Sequence, residues 1–268
     1  MSQSSPATKT TEEEDHHHHH NLEIVIPEII ALNDNHFTMD QSNPLAKQIA
    51  KSLPWFGPKY SPHDVPNFYD VSGITENPEM FKTVIKCFID RYKKEEVKPT
   101  HVCGFDARGF LFGPSIAMGL DIPFVMIRKA GKLPGVLVSS GEYITEYSKD
   151  ETVMRFGAIK KGDRVVLVDD LIATGGTAIA GFELVSQLGA IVHEFAAIIE
   201  LPFLDGVKKI HEYKDGKFKD VPCFTMVDCL TIGDDQGRDP EDGVPRIVKA
   251  DECNKYTVDE KTGKVVVI

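Results

Sequence analysis

The sequence predicts an α/β fold: a parallel sheet core flanked by helices. Three observations carry this prediction. Between Thr100 and Glu200, short apolar runs alternate with helix-patterned segments, the signature of βαβ units joined by right-handed crossovers. Val165, Val166, Leu167 and Val168 form a continuous apolar run, as in a strand buried on both faces of a parallel sheet. Asp169 and Asp170 follow at once, and then Thr174-Gly175-Gly176-Thr177, a glycine turn that opens a helix. Open α/β sheets bind ligands at the carboxyl ends of their strands, which is where this turn falls.

The remaining elements follow in order. Residues 1–21 are polar and acidic and contain five histidines, His16–His20. This leader has too little apolar surface to fold, and its histidines suit either a metal-binding tract or an affinity tag. A short helix is expected over Leu45–Leu53, ended by Pro54. The loop from Trp55 to Ser72 is rich in proline and aromatic residues, which excludes a long regular element. From Pro78, the residues Met80, Phe81, Val84, Ile85, Phe88, Ile89 and Tyr92 recur at helical spacing, marking a core helix. A strand over His101–Asp106, a helix from Leu111 to Gly119 and a strand over Pro123–Ile127 come next. The long interruption between Lys132 and Phe156 could pair as a hairpin and has the length of a lid. A strand at Arg164–Asp170, a helix at Gly176–Leu188 and a strand at Val192–Glu200 complete the alternation. After Leu201 the periodicity weakens, and charged turns separate short strands such as Phe224–Asp228 and Lys264–Ile268. Residues 205–268 read as an extension packed on the core or on a partner subunit.

Composition narrows the function. The chain of 268 residues suffices for one sizeable α/β domain with extensions, or for two small ones, and 41% of it is hydrophobic. A net charge of −11 argues against a general nucleic-acid or anionic-membrane surface. Any phosphate must therefore be caught by local cations. The five cysteines form no CxxC pair, and Cys87 and Cys103 lie in apolar patterns, which fits a reducing compartment. No apolar run is long enough to span a bilayer, and no hydrophobic signal core opens the chain. A cytoplasmic protein is expected.

The chemistry is concentrated in the 165–181 stretch. Backbone N–H groups at a helix N-terminus, together with the helix dipole, favour an anion. A phosphate there with two carboxylates nearby describes a sugar phosphate with free hydroxyls. The stretch VVLVDDLIATGGTAIAG resembles the 5-phosphoribosyl-1-pyrophosphate (PRPP) motif of the type I phosphoribosyltransferases. Three further segments resemble the adenine phosphoribosyltransferase family in order and spacing: Gly104–Ala117, Pro123–Gly135 and Glu142–Tyr147. With the loop Phe68–Phe81 they cover roughly 66–202.

That resemblance implies the type I phosphoribosyltransferase fold. Its domain would run over residues 22–204, with an N-terminal hood loop (45–75), a core (78–204) and a flexible lid (133–148). It implies transfer of the phosphoribosyl group of PRPP to N9 of adenine, giving AMP and pyrophosphate. Asp169 and Asp170 would hold the ribose hydroxyls, and Ala173, Thr174, Gly175, Gly176 and Thr177 the 5′-phosphate. Asp106, Ala107, Arg108, Arg128, Lys129 and Lys132 would hold pyrophosphate, with a cis peptide expected at Asp106–Ala107. Asn67, Phe68 and Leu171 would bind adenine. Glu146 would approach N7 of the purine, and Tyr147 would help close the lid. Magnesium (Mg2+) would be carried by PRPP without a direct protein ligand, and the chain would form a homodimer with the loop after Arg108 near the partner. The sequence departs from the commonest family pattern at Tyr69, where many members carry arginine, so the hood chemistry is the part this departure touches. A transferase acting on hypoxanthine or guanine, and a non-catalytic PRPP sensor, stay open as alternatives at this level.

Overall fold

The computed structural model describes residues 28–60, 65–141 and 151–268. The leader 1–21, with its histidine run, lies outside them. The chain enters through an antiparallel hairpin of β1 (Ile29–Asn33) and β2 (His36–Met39). Sequence reasoning passed over this hairpin because four of the five β1 residues are exposed, so no apolar alternation marks it. Helix α1 (Pro44–Lys51) starts where the Asn43 side chain accepts from the Leu45 N–H, an ordinary N-cap reinforced by proline in the first turn. Two-residue strands β3 (Trp55–Phe56) and β4 (Phe68–Tyr69) pair antiparallel and clip the ends of the proline-rich loop together.

One short helix, α2 (Ser72–Thr75), precedes α3 (Pro78–Lys94). Asn77 caps α3 through the Met80 N–H, Glu79 sits in its first turn, and Arg91, Lys93 and Lys94 sit in its last. All three features favour the helix macrodipole. The alternating region then supplies β5 (His101–Phe105), α4 (Gly113–Leu120) and β6 (Phe124–Lys129), followed by β7 (Leu137–Ser139) and β8 (Thr152–Arg155). β7 and β8 pair antiparallel with each other, and β8 pairs antiparallel with β6, so the interruption does begin and end as a hairpin. β9 (Arg164–Val168), β10 (Leu171–Ile172) and α5 (Gly176–Gln187) carry the acid pair and the glycine turn, and β11 (Ile191–Glu200) follows. After them come α6 (Gly206–Gly216), β12 (Cys223–Asp228) and the terminal hairpin of β13 (Tyr256–Val258) and β14 (Val265–Val267).

The strands form one sheet in the order β1-β2-β12-β11-β9-β5-β6-β8-β7, with β10 beside β11. From β2 to β6 every neighbour is parallel; only the two edges are antiparallel. The expected boundary at 204/205 needs correction here. β12 pairs with β11 on one side and β2 on the other, so 223–228 is a strand of the core sheet, not part of an extension laid over it. The signal was weak because β12 is only six residues long and the charged segment before it masks its periodicity.

Both sheet faces are covered. Val102, Val166, Val168, Ala196 and Phe224 pack with Phe88 and Tyr92 of α3 on one face, while Cys103, Phe105, Val165, Leu167 and Phe195 pack with Ile179, Phe182 and Ile210 on the other. One carboxylate is buried in the first face. Glu194 accepts from Arg91 Nε and Nη2, both at 2.7 Å, and from the Tyr92 hydroxyl at 2.9 Å. The Arg91 guanidinium lies 4.3 Å from the Phe224 ring centroid. A buried charge is tolerated only when it is paired and hydrogen-bonded in this way.

Candidate active site

The site forms at the carboxyl ends of β5, β6 and β9. Val168 is the last residue of β9, and the chain turns there through Asp169 and Asp170 into β10. The turn is held from below: the Asp169 N–H donates to Ala196 O, and Asp170 O accepts from the N–H groups of Ile198 and Ile199, both at 3.0 Å. Asp170 is almost fully buried, while Asp169 keeps part of its surface open. The Asp169 side chain accepts from the Asp170 N–H at 2.8 Å.

Arg108 Nε lies 2.6 Å from Asp170 Oδ2. The donor is not aligned on that oxygen, which therefore has a charge partner but no hydrogen bond. Burial raises the Asp169 carboxyl above the usual carboxylate range, and the Asp170 carboxylate adds to the rise. Burial raises Asp170 as well, but the Arg108 guanidinium offsets part of the effect. The pair is thus desolvated and short of donors. Two vicinal hydroxyls would supply them.

The glycine turn expected to hold the 5′-phosphate follows. Gly175 has φ +88° and sits at the N-cap of α5, a left-handed conformation that glycine adopts without penalty. A Cβ there would lie 2.7 Å from Gly206 O. Conversely, a Cβ on Gly206 would lie 2.3 Å from Ala173 O. The start of α6 therefore presses directly against the Ala173–Gly175 turn. Thr174 is half-buried and Thr177 exposed at the mouth, with Gly176 buried behind them. The N-terminus of a 12-residue helix with free N–H groups faces this turn.

The first loop approaches from β5. The Asp106–Ala107 peptide is cis, as expected from the sequence. A Cβ on Gly109 would lie 2.6 Å from Val168 O, so only glycine lets this loop close over the end of β9. Asp106 Oδ2 accepts from the Lys129 N–H at 3.3 Å and lies 3.4 Å from Arg128 Nε, and Arg128 Nη1 donates to Lys132 O at 3.3 Å. Four of the six residues expected to hold pyrophosphate are thus joined in one network. Arg108 turns away from that network. Besides Asp170, it meets the Phe68 ring, with its guanidinium carbon 5.2 Å from the centroid. Arg108 therefore bridges Asp170 and the hood residue Phe68.

In the hood, Phe68 and Asn67 are half-buried, and the Asn67 amide donates to the Tyr69 hydroxyl at 3.5 Å. Tyr69 is buried in the core, and burial raises its phenol above the ordinary range. This residue faces inward as a packing group, so the departure noted in the sequence falls on a core position. Glu146 and Tyr147 lie outside the described residues. An apolar groove of about 460 Å³ lined by Phe124, Met126, Leu133, Pro134 and Arg155 shares no residue with the acid pair or the phosphate turn, and we assign it no part in the site. Sequence reasoning missed Gly109 and Gly206. Both are glycines that let one backbone approach another closely, a signal that a single sequence does not separate from an ordinary turn.

A parallel sheet with an acid pair, a glycine turn at a helix N-terminus and a cationic loop describes a class: phosphoribosyl-binding α/β proteins. The family profile described as "Phosphoribosyl transferase domain" matches residues 70–236. The adenine phosphoribosyltransferase of Paracidovorax citrulli is 42% identical over 161 residues, covering 60% of this chain and 84% of that protein. A crystal structure of the Trypanosoma brucei adenine phosphoribosyltransferase in complex with AMP, pyrophosphate and ribose-5-phosphate superposes with TM-score 0.79 at 43% identity, covering 85% of this chain and 98% of that one. The Leishmania donovani enzyme superposes with TM-score 0.78 at 40% identity, covering 84% and 97%. The chain belongs to the phosphoribosyltransferases and, among them, to the adenine phosphoribosyltransferase family. The family match also extends past residue 204, as the placement of β12 requires.

Proposed function

We infer that this chain is an enzyme of purine salvage that transfers the 5-phosphoribosyl group of PRPP to N9 of adenine, releasing pyrophosphate and forming AMP. The observation that carries the reading is the Asp169–Asp170 pair beside the α5 N-terminus, with the buried Asp170 joined through Arg108 to Phe68. Asp169 and Asp170 accept from the ribose hydroxyls. The 173–177 turn donates backbone N–H groups to the 5′-phosphate. Arg128, Lys129 and Lys132, together with the 106–108 loop, receive the departing pyrophosphate. PRPP enters as its magnesium complex, so the metal belongs to the substrate, where it neutralises the leaving group.

The C1′–O bond breaks as N9 attacks, with inversion and oxocarbenium-like charge at C1′. The protein's part is orientation and charge stabilisation. When PRPP binds, the ribose hydroxyls take over Asp170, and Arg108 is released toward the leaving group and the base. Phe68 and Leu171 flank adenine, and main-chain groups near Asn67 read its edge. Glu146 shares the proton at N7, and Tyr147 closes the 133–148 lid to exclude water. Glu146→Ala is expected to lower kcat more than it raises KM for PRPP.

A homodimer is part of this reading. Leu111, Met118 and Met126, on the loop, helix and strand after Arg108, are exposed, as an apolar interface requires. Among the described residues no helix is long and apolar enough to cross a membrane. Four of the five cysteines are buried free thiols, which supports a reducing, cytoplasmic setting.

The test is pyrophosphate release by the purified protein with PRPP and magnesium, comparing adenine, hypoxanthine, guanine and no base. Release with adenine alone, with AMP formed, is expected. Release with another base would overturn the hood assignment, and PRPP binding without release would favour a sensor.

A further inference from the structure

The C-terminal segment after β12 is built onto the hood, at residues that no catalytic role accounts for. Gln236 is buried, and its side-chain amide donates to Ala50 O at 2.7 Å and Leu53 O at 2.9 Å, at the end of α1. Trp55 Nε1 donates to Gly233 O at 3.1 Å, and the Arg238 N–H returns a bond to Trp55 O at 2.8 Å. The Gly57 N–H donates to Asp239 Oδ2 at 2.9 Å. Five polar contacts thus tie residues 233–239 to residues 50–57. The chain then brings Arg246 to the same loop. Its guanidinium lies 5.0 Å from the Tyr60 ring centroid, donates to the Tyr60 hydroxyl, and sits 3.8 Å from Asp239 Oδ1. Tyr60 packs on Phe68 with ring centroids 6.4 Å apart, and on Phe56, the cross-strand partner of Phe68, at 6.0 Å.

We infer that residues 233–246 form a clamp that positions the base-binding face of the hood, with Arg246 acting on Phe68 through Tyr60. The inference rests on the assignment of Phe68 to adenine. Phe68 is touched by two cations of different origin: directly by Arg108 from the β5 loop, and through Tyr60 by Arg246 from the tail. The direct cation is also bound to Asp170 and must be freed when the ribose hydroxyls arrive. The clamp does not depend on that exchange, so the aromatic face stays in place while Arg108 moves. Arg246 is a positioning residue, because it meets neither the acid pair nor the phosphate turn.

The experiment compares wild type with Arg246→Ala and Arg246→Lys. An exposed cation–π contact corresponds to a roughly two- to fivefold change in an equilibrium. Arg246→Ala is therefore expected to raise KM for adenine by about that factor, leaving KM for PRPP and Tm at wild-type values. Arg246→Lys, which keeps a cation over Tyr60, should restore most of the loss. An unchanged adenine KM, a parallel rise in the PRPP KM, or failure of lysine to rescue would each overturn the clamp. Amide exchange over residues 55–60 and 65–69, read without substrate, should quicken in Arg246→Ala and not in Arg246→Lys. Unchanged exchange would also overturn it, whether or not the wild-type protein turns over adenine. Wild-type protein that forms no AMP would instead count against the functional reading.

Discussion

Gly206 offers a test of the phosphate cradle from outside the motif. It opens α6, 29 positions after Thr177 in the chain, and its Cα sits against the turn that the motif forms. A Cβ at 206 would lie 2.3 Å from Ala173 O and 2.8 Å from Ile172 Cγ2. Ordinary contact begins near 3.4 Å, so the backbone oxygen must retreat by about 1 Å, a distance over which contact energies change steeply. No flexible side-chain tip can absorb this, because the nearest atom is main chain. The backbone of Gly206 is not left-handed, so alanine meets only the steric obstacle. A misplacement of about 1 Å near reacting groups costs up to roughly 100-fold in rate, equivalent to about 2.7 kcal/mol. Overpacking should also cost about 1–3 kcal/mol of stability. Steady-state kinetics of Gly206→Ala should therefore show kcat/KM for PRPP reduced by ten- to 100-fold, roughly, with urea unfolding still cooperative at a lower midpoint. Adenine affinity, measured by equilibrium binding, should change far less. A folded variant with wild-type kcat/KM for PRPP would refute the idea that residues 173–177 hold the 5′-phosphate and that α6 sets their position.

The remaining predictions concern the acid pair. Asp170→Asn should remove the hydroxyl anchor and cripple turnover by at least ~100-fold, in line with the loss of a charge-assisted contact made to the reacting substrate; wild-type-like kinetics in the folded variant would exclude the anchor role. Because burial raises the Asp169 carboxyl, the folded state holds its proton more tightly than the unfolded chain. Stability from this group is then greatest at acid pH and falls as pH rises from the unfolded value toward the raised one. Asp169→Asn is accordingly expected to raise Tm at pH 7 and to lose that advantage toward pH 4, and thermal melts across that range would show it. An Asn variant less stable at pH 7 and more stable at pH 4 would reverse the sign.

Much of the core was legible in the sequence because its signals are local. Val165–Val168 read as a buried strand from four consecutive apolar residues, and α3 from apolar residues recurring at helical spacing from Pro78. The acid pair and the glycine turn are contiguous, so their order alone placed them at a strand end. The β1–β2 hairpin and the membership of β12 in the sheet were not legible. Exposed edge residues carry no periodicity, and pairing of β12 with β11 and β2 is a long-range event that no local pattern records. The same holds within the site. The sequence supplied Asp106, Arg128, Lys129 and Lys132 as charges; the fold joined Arg128 and Lys129 at Asp106 Oδ2, linked Lys132 through Arg128, and sent Arg108 elsewhere, to Asp170 and Phe68.

By itself, then, the sequence determined the alternating α/β order, the glycine turn and the acid pair, since each depends on neighbours within a few residues. Only the tertiary structure decided what backs the turn, where Arg108 points and what braces the hood. Those depend on Gly109, Gly206, Gln236 and Arg246 meeting residues about 30 to 190 positions away, and close approach between distant backbones leaves no mark in a single chain of letters except a glycine.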